Sequence, residues 1–207
     1  MRRSVSRTIS PAIATAVLCL ALAAGPVAAA TRNVTMSDSQ SSFFPTSISI
    51  ARGDSVRWKN NAGFTDHDVF STGPSKYFKS GPAGGMEPGD RYTRAFPSAG
   101  TFGYLCRVHA GMDGTVTVPM SVRRVTDGGS VKFKLTVASA SLSSGSPFRH
   151  VVYVDTPSGS WQVFKTTTKA RLTYVPATSG TYHFRTAVTR TSNGSDSQLS
   201  PTVSITR

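Results

Sequence analysis

The residues best suited to chemistry are concentrated in residues 104–114, Tyr-Leu-Cys-Arg-Val-His-Ala-Gly-Met-Asp-Gly. This segment places a thiol, an imidazole and a thioether three residues apart in turn, at Cys106, His109 and Met112. We expect Cys106 to end a strand and the other two donors to lie in the short loop that follows, so that all three can meet at one point. A fourth donor must come from elsewhere, and His67 is the only other histidine before residue 120.

These donor types favour copper over zinc. Thiolate and thioether sulfur stabilise Cu(I), and imidazole accepts both oxidation states. A structural zinc site would more often use two to four cysteines, and a catalytic zinc site would keep an open position. Two histidines, one cysteine and a weak axial methionine form the ligand set of blue-copper electron-transfer sites. We therefore predict one copper per chain, cycling between Cu(I) and Cu(II) and held by His67, Cys106, His109 and Met112.

These residues could also have a purely structural role or belong to a catalytic site. Taken alone, Cys106 could be a small buried apolar residue and His67 a loop residue. A thiol hydrolase would need a base oriented by Asn or Asp and an oxyanion hole, and His109 is already explained by the metal. The single glutamate argues against paired-carboxylate chemistry. No phosphate-binding loop or basic-aromatic array indicates a nucleic-acid partner, so we predict neither catalytic residues nor enzyme activity.

The elements that position the donors are predicted to be strands. Ser, Thr, Gly and Val are abundant and helix formers are scarce, which indicates an all-β protein. Period-two alternation between turn signals predicts strands at 33–37, 47–51, 55–59, 91–96, 101–106 and 114–119. The pattern restarts at 130–139, 150–156, 162–167, 170–174, 181–189 and 202–206. His150 and His183 fall in separate strands of this second set and are expected to be surface or cross-strand residues.

Composition predicts how these strands are divided into domains. Residues 1–30 contain three arginines, then an apolar run, and end in Ala-Ala-Ala, which is typical of a secretory signal peptide. The apolar run is shorter than the ~20 residues that a membrane-spanning helix needs. Residues 31–120 would form the copper domain, 121–129 a linker, and 130–207 a second β-sandwich. We predict export to the periplasm, the cell envelope or the extracellular space.

Cysteine usage agrees with a metal site in an exported protein. Cys19 lies inside the apolar run and would be removed with the signal peptide, which leaves Cys106 as the only cysteine of the mature chain. An unpaired thiol in an oxidising compartment requires an explanation such as a metal, an intermolecular bridge or deep burial.

Positive charge is concentrated in the C-terminal half of the chain. Lys and Arg outnumber Asp and Glu by nine to seven over residues 31–120, but by eleven to three from residue 121 onwards. This asymmetry predicts attraction to an anionic envelope polymer, a membrane surface or an acidic protein, although scattered charges could merely solubilise the chain. The residues expected to carry the attraction are Arg123, Arg124, Lys132, Lys134, Lys165, Lys169 and Arg171.

The first module resembles the cupredoxin family, in particular its plastocyanin and amicyanin members. The Cys-x-x-His-x-x-Met spacing of Cys106, His109 and Met112 is similar to the short ligand loop of amicyanin. Three further stretches are similar to family segments that lead towards the copper ligands: Asn-Asn-Ala-Gly-Phe at 60–64, Met-Glu-Pro-Gly-Asp at 86–90 and Gly-Thr-Phe-Gly-Tyr at 100–104. The resemblance implies a Greek-key β-sandwich. More weakly, residues 180–187 and 200–201 resemble the late strands of fibronectin type III or immunoglobulin-like domains, which implies a second, immunoglobulin-like β-sandwich.

The chain departs from the family pattern beside His67. The family usually has Pro just before this histidine and Asn just after it, whereas residues 65–68 are Thr-Asp-His-Asp. The family's Asn ties the two ligand loops together by hydrogen bonds. An ionised Asp68 can accept such a bond from a backbone N–H but cannot donate one. We therefore expect an intact site with altered tuning of the metal.

The resemblance implies a one-electron carrier that serves a redox protein partner. His109 would offer the solvent-near edge of the site, and Gly63, Phe64, Val108 and Ala110 would form an apolar docking rim around it. Two hypotheses of other classes remain: a copper-binding or trafficking protein whose metal is cargo, and an envelope-binding module in which copper is structural. Stable redox cycling favours the carrier, and ready transfer of the metal to a chelator favours the trafficking protein.

Overall fold

A computed structural model describes residues 28–37, 41–73 and 76–207, and the regular secondary structure in this part of the chain is entirely β-strand. The all-β prediction is confirmed. The predicted signal peptide lies outside the described residues, except for residues 28–30. Within the described ranges, no helix has the length and apolar character needed to cross a membrane.

The N-terminal half forms two four-stranded sheets, with strand orders β2-β1-β4-β6 and β3-β8-β7-β5. Their strands are β1 (Thr31–Ser37), β2 (Ser42–Phe44), β3 (Ser47–Ser49), β4 (Ser55–Asn60), β5 (Phe70–Ser71), β6 (Arg91–Ala95), β7 (Gly100–Leu105) and β8 (Asp113–Val118). β1 pairs with β4 in parallel, as does β3 with β8, and the other neighbours are antiparallel. Period-two alternation buries one face of each central strand. In β7, for example, Gly100, Phe102 and Tyr104 are buried, and the residues that follow them are only partly buried.

An aromatic cluster fills the space between these two sheets. Trp58 on β4 is fully buried, and its ring centroid lies 5.2 Å from that of Tyr104 and 5.6 Å from those of Phe78 and Tyr92. Burying an aromatic side chain of this kind contributes about 1.5–3 kcal/mol to folding. Tyr104, a member of this cluster, lies near the end of β7 and two residues before Cys106. The cluster therefore supports the strand end that carries Cys106.

The C-terminal half contains a three-stranded sheet, β13-β10-β9, and a four-stranded sheet, β12-β11-β14-β15. Their strands are β9 (Ser121–Asp127), β10 (Ser130–Thr136), β11 (Phe148–Asp155), β12 (Gln162–Thr167), β13 (Arg171–Tyr174), β14 (Thr181–Arg190) and β15 (Val203–Thr206). The buried hydroxyl of Tyr182, at the start of β14, donates to the carbonyl of Thr178 at 2.9 Å. This arrangement is that of the tyrosine corner of immunoglobulin-fold sandwiches. The likeness of this half to those domains stays a prediction.

The segment predicted to be a linker is instead a strand. β9 covers Ser121–Asp127 and pairs with all seven residues of β10. Gly128 and Gly129, with φ of 55° and 77°, form the two-residue hairpin turn between them. Positive φ at both central residues is the requirement of the hairpin turn whose twist matches the flanking strands. The Asp-Gly-Gly signal therefore marks a hairpin, and the chain passes between the two halves across Pro119 and Met120 alone.

The two halves pack directly against each other. The N–H of Ala99 donates to the carbonyl of Val137, and that of Ser139 to the carbonyl of Pro97, both at 2.8 Å. The hydroxyl of Tyr77 donates to the carbonyl of Val188. Val188 belongs to the apolar cluster of the N-terminal half, and Ala99 to that of the C-terminal half. The halves therefore share a boundary rather than a flexible connection.

His150 lies in this boundary, fully buried, and is not a surface residue. Its Nε2 is 3.0 Å from Ser98 Oγ, and its Nδ1 is 3.3 Å from the carbonyl oxygen of Lys169. Burial lowers the pKa of His150, and the hydrogen bond to the Lys169 carbonyl partly offsets this. The folded protein therefore holds the imidazole neutral at a pH where the unfolded chain is already protonated.

We expect His150 to make the protein less stable in mild acid. Since the unfolded chain takes up this proton near pH 6.5, the free energy of unfolding should fall as the pH drops below that value towards the lowered pKa, by at most about 1.4 kcal/mol per pH unit. Urea denaturation of the wild type and of His150→Gln between pH 7.5 and 5.5 measures the difference. The stability advantage of the wild type should narrow as the pH falls. Parallel curves for the two proteins would contradict the expectation.

Candidate metal centre

The structure brings three of the predicted ligands together at one end of the first sandwich. The donor atoms of His67, Cys106 and His109 all lie within 4.8 Å of one another. Cys106 Sγ is 3.9 Å from His67 Nδ1 and 3.4 Å from His109 Nδ1. An ion held by nitrogen and sulfur donors at about 2.0–2.3 Å keeps neighbouring donors roughly 3.3–4 Å apart. The spacing of the three donors therefore fits a first-row metal ion.

Met112 lies next to this group through a tight curl of the ligand loop. The N–H of Cys106 donates to the carbonyl of Met112 at 2.9 Å, and that of Met112 to the carbonyl of His109 at 3.3 Å. Gly111 has a φ of 76°, a conformation that glycine adopts without strain. Met112 is 1% exposed and belongs to the same buried cluster as Cys106. This tight turn of the loop therefore brings Met112, which carries the thioether, back beside Cys106.

His67 is held from the opposite side by backbone and amide hydrogen bonds. Its N–H donates to the carbonyl of Met86 at 3.0 Å, and the N–H of Met86 donates back at 2.9 Å. The buried amide of Asn60 donates to the carbonyls of Thr65 and Met86, both at 2.9 Å, and accepts from the N–H of Ala62. The stretches at 60–64 and 86–90 therefore fix the loop that carries His67. The sequence identified these stretches by resemblance, but not the role of Asn60 in joining them.

A close approach of two strands supports the cysteine. Tyr104 on β7 lies opposite Gly114 on β8. A Cβ atom at residue 114 would come within 2.5 Å of the Tyr104 ring, so only glycine fits there. Burial raises the pKa of Tyr104 to about 12, and the ring therefore remains a neutral part of the core.

An ion pair joins the two ligand loops at the position where the chain departs from the family pattern. The fully buried carboxylate of Asp68 accepts hydrogen bonds from the backbone N–H of Arg107 at 2.7 Å and from its Nε at 2.5 Å. The Arg107 guanidinium also donates to the carbonyl of Gly81 at 2.8 Å and lies 4.4 Å from the centroid of the Phe70 ring. Asp68 therefore connects the loops as an acceptor only, and the residue after the cysteine supplies the compensating charge.

The thiol of Cys106 lies in a site that favours its neutral form until a metal binds. Burial raises the pKa of Cys106, and hydrogen bonds from the backbone N–H groups of Asp68 and Val108 partly offset this. The nearby Asp68 carboxylate raises the pKa further. A bound cation would reverse this balance, because metal ligation removes the thiol proton.

The exposed edge of the site is apolar. His109 is partly exposed, in contrast to His67 at 0% and Cys106 at 3%. Val108, the chain neighbour of His109, is 47% exposed, and Phe64, three residues before His67, is 88% exposed. The other two histidines lie elsewhere: His150 in the boundary described above, and His183 on β14, where its Nδ1 is 2.7 Å from Ser204 Oγ across the strand pair.

Residues 30–119 are similar in sequence to known copper-binding proteins. A profile of the family described as copper binding proteins, plastocyanin/azurin family, matches residues 30–119. The chain is 41% identical over 83 residues to a plastocyanin of Scenedesmus fuscus, covering 37% of the chain and 85% of that protein. It is equally identical to a chloroplastic plastocyanin of Tetradesmus obliquus, of which it spans 57%. A purple cupredoxin from Nitrosopumilus maritimus is a similar solved structure, with 24% identity, 42% of this chain and 97% of that chain covered, and a TM-score of 0.37.

Proposed function

The chain belongs to the plastocyanin/azurin family of copper-binding proteins, and we propose that it is an exported one-electron carrier. Copper is its cofactor, in agreement with the donor set. The observation that carries the proposal is the convergence of one thiol and two imidazoles beside a buried methionine. Bound copper would supply the one-electron chemistry, since sulfur donors stabilise Cu(I) and imidazole accepts both states.

The protein's own residues are arranged so that little has to move when an electron arrives or leaves. His67 is held by Met86, whose carbonyl also accepts from Asn60, while Cys106 and Met112 are tied to each other through the backbone. These three residues are at most 3% exposed, so water has little access to the donors. A metal bound by all four predicted donors would have no open position of the kind that a catalytic zinc site keeps. Both features support a carrier rather than an enzyme.

The apolar edge offers a route for the electron. His109 is the most exposed of the ligands, and each ligand loop adds an exposed apolar side chain, Val108 next to His109 and Phe64 in the loop that carries His67. Exposed apolar patches with a polar surround are typical of protein interaction sites. We propose that a redox protein partner docks on this face and exchanges the electron through His109.

Voltammetry combined with a chelator challenge tests the carrier against the trafficking hypothesis. The copper-loaded protein should give a reversible one-electron wave whose integrated charge is unchanged over repeated cycles, because the ligands suit both oxidation states without rearrangement. Its copper should stay bound when an excess of a Cu(I) chelator is added to the reduced protein. Loss of the copper to the chelator upon the first reduction would instead identify the metal as cargo.

A further inference from the structure

A basic groove of about 710 Å³ lies on the solvent face of the three-stranded sheet, far from the metal centre. Four cationic side chains line it, those of Arg123, Lys134, Lys169 and Arg171. The hydroxyl groups of three further lining residues, Ser121, Thr136 and Thr173, are donors as well. Among the described residues that line the groove, none is acidic and none is aromatic.

Strand register brings these cations together. Arg123 on β9 lies opposite Lys134 on β10, and Lys134 lies opposite Thr173 on β13. The next row of the same face joins Ser121, Thr136 and Arg171 in the same way. Like charges directly opposite each other on a sheet destabilise it. Folding alone does not account for the pairing of Arg123 with Lys134, which suggests a role in binding.

A fifth cation, Arg52 of the N-terminal half, does not line the groove but contacts Ser121, which does. The guanidinium of Arg52 donates to the carbonyl of Pro119 and, at 3.0 Å, to the hydroxyl of Ser121. Burial and the neighbouring charge of Arg171 lower the pKa of Arg52. At the opposite end of the same hairpin, Lys132 is neutralised by Asp127 at 2.7 Å. In the part of the chain that the structure describes, none of the five cations in and beside the groove has such an acidic partner.

We propose that this groove binds a linear polyanion that carries phosphate groups. Arginine presents a planar fork that binds phosphate oxygens in pairs, lysine adds a point charge, and the hydroxyl groups complete the donors around a tetrahedral anion. A carboxylate, with two oxygens, makes less use of so many donors. A single-stranded nucleic acid would stack its bases on aromatic side chains, and the lining offers none. A concave groove also suits a flexible chain better than a flat bilayer surface.

The position of the groove leaves the metal centre free. β8 begins beside Met112 and ends at Val118, one residue before the Pro119 carbonyl that Arg52 contacts. Six residues of β-strand span about 20 Å. The polyanion would therefore hold the protein at one end while a redox partner reaches the copper at the other.

Binding of inorganic polyphosphate to the full-length, copper-loaded protein tests the proposal. Titration calorimetry at about 0.15 M salt would compare the wild type with Arg123→Gln/Arg171→Gln and with the control Arg124→Gln/Lys165→Gln, which removes the same charge outside the groove. The groove variant should bind about tenfold or more weakly, because each lost contact is a charge-assisted hydrogen bond. The control should change affinity less than twofold or so, because neither Arg124 nor Lys165 lines the groove. The copper absorption should not shift when polyphosphate binds.

Two competitor experiments separate phosphate recognition from general charge attraction. Polyglutamate of matched length should bind at least tenfold more weakly than polyphosphate. Equal binding of the two polymers, or an equal loss of affinity in both double variants, would overturn the proposal. Binding to vesicles of anionic phospholipid without binding to polyphosphate would overturn it too. If the groove variant fails to fold, as judged by circular dichroism, the single change Lys134→Gln takes its place with the same expected direction.

Discussion

Replacing Cys106 with serine is expected to abolish the intense visible absorption of the Cu(II)-loaded protein while leaving the fold intact. The absorption arises from charge transfer between a thiolate and copper, and a serine hydroxyl provides neither the sulfur orbital nor a comparable bond. Cys106 is 3% exposed, and serine is of similar size, so the aromatic core beneath β7 should be preserved. Visible and paramagnetic-resonance spectra measure the copper site, and far-ultraviolet circular dichroism measures the fold.

Met112→Leu is the matched control for this experiment. Leucine keeps the volume of a side chain that is 1% exposed but removes the thioether. Because a weak axial ligand tunes the potential more than it secures the metal, this variant should keep the colour and raise the reduction potential. Colour that survives in Cys106→Ser would refute the assignment of the thiolate. Complete loss of copper in Met112→Leu would show that the thioether is needed to hold the metal and does not merely tune its potential.

The parts of the site that the sequence predicted are those encoded locally. Cys106, His109 and Met112 lie within seven residues, and their spacing alone indicates that they converge after a strand. His67 followed from elimination, because few histidines were available. Most long strands were equally visible, since buried residues alternate with less buried ones in clear period two in β4 and β7. The short strands β2 and β5 carry too few residues for such a pattern and were not predicted.

Misinterpretations arose where a local signal had two meanings. The pair Arg123-Arg124 and the glycines that follow were interpreted as a linker because charge and glycine are common in linkers. In the structure Val122 packs against the core of the C-terminal half, and the glycines form a hairpin turn. The alternation of Val122 with charged neighbours was too weak to outweigh the turn signal.

Other features depend on contacts between distant segments and have no local signal. The burial of His150 results from the packing of the two halves around Ser98. Charge counts predicted a basic surface, but only the pairing of the strands shows which of its residues lie together. Four of its residues line the groove, whereas Lys132 pairs with Asp127, and Arg124 and Lys165 do not line it.

Replacing Arg107 is expected to destabilise the protein much more than replacing Asp68, its partner in the ion pair between the ligand loops. Asp68 is fully buried, while the Arg107 side chain is 29% exposed. Arg107→Met removes the compensating charge and leaves a carboxylate buried without its partner, which should destabilise the protein by about 3–5 kcal/mol. Asp68→Asn removes the charge but keeps an oxygen that can accept from the Arg107 backbone N–H, and the arginine can turn to solvent. We expect this variant to lose only about 1–2 kcal/mol.

A double-mutant cycle on the copper-free protein, measured by urea unfolding, distinguishes this ion pair from two independent contacts. In Asp68→Asn/Arg107→Met neither charge remains, so most of the stability lost in Arg107→Met should return, and the two changes should be strongly non-additive. The copper-loaded variants report on the site as well, because this pair joins the loop of His67 to the loop of Cys106 and His109. Arg107→Met should alter the paramagnetic-resonance spectrum more than Asp68→Asn does, since only the former leaves an unpaired negative charge beside the thiolate. Additive effects on stability, or a larger loss in Asp68→Asn than in Arg107→Met, would show that the loops are held together mainly by other contacts.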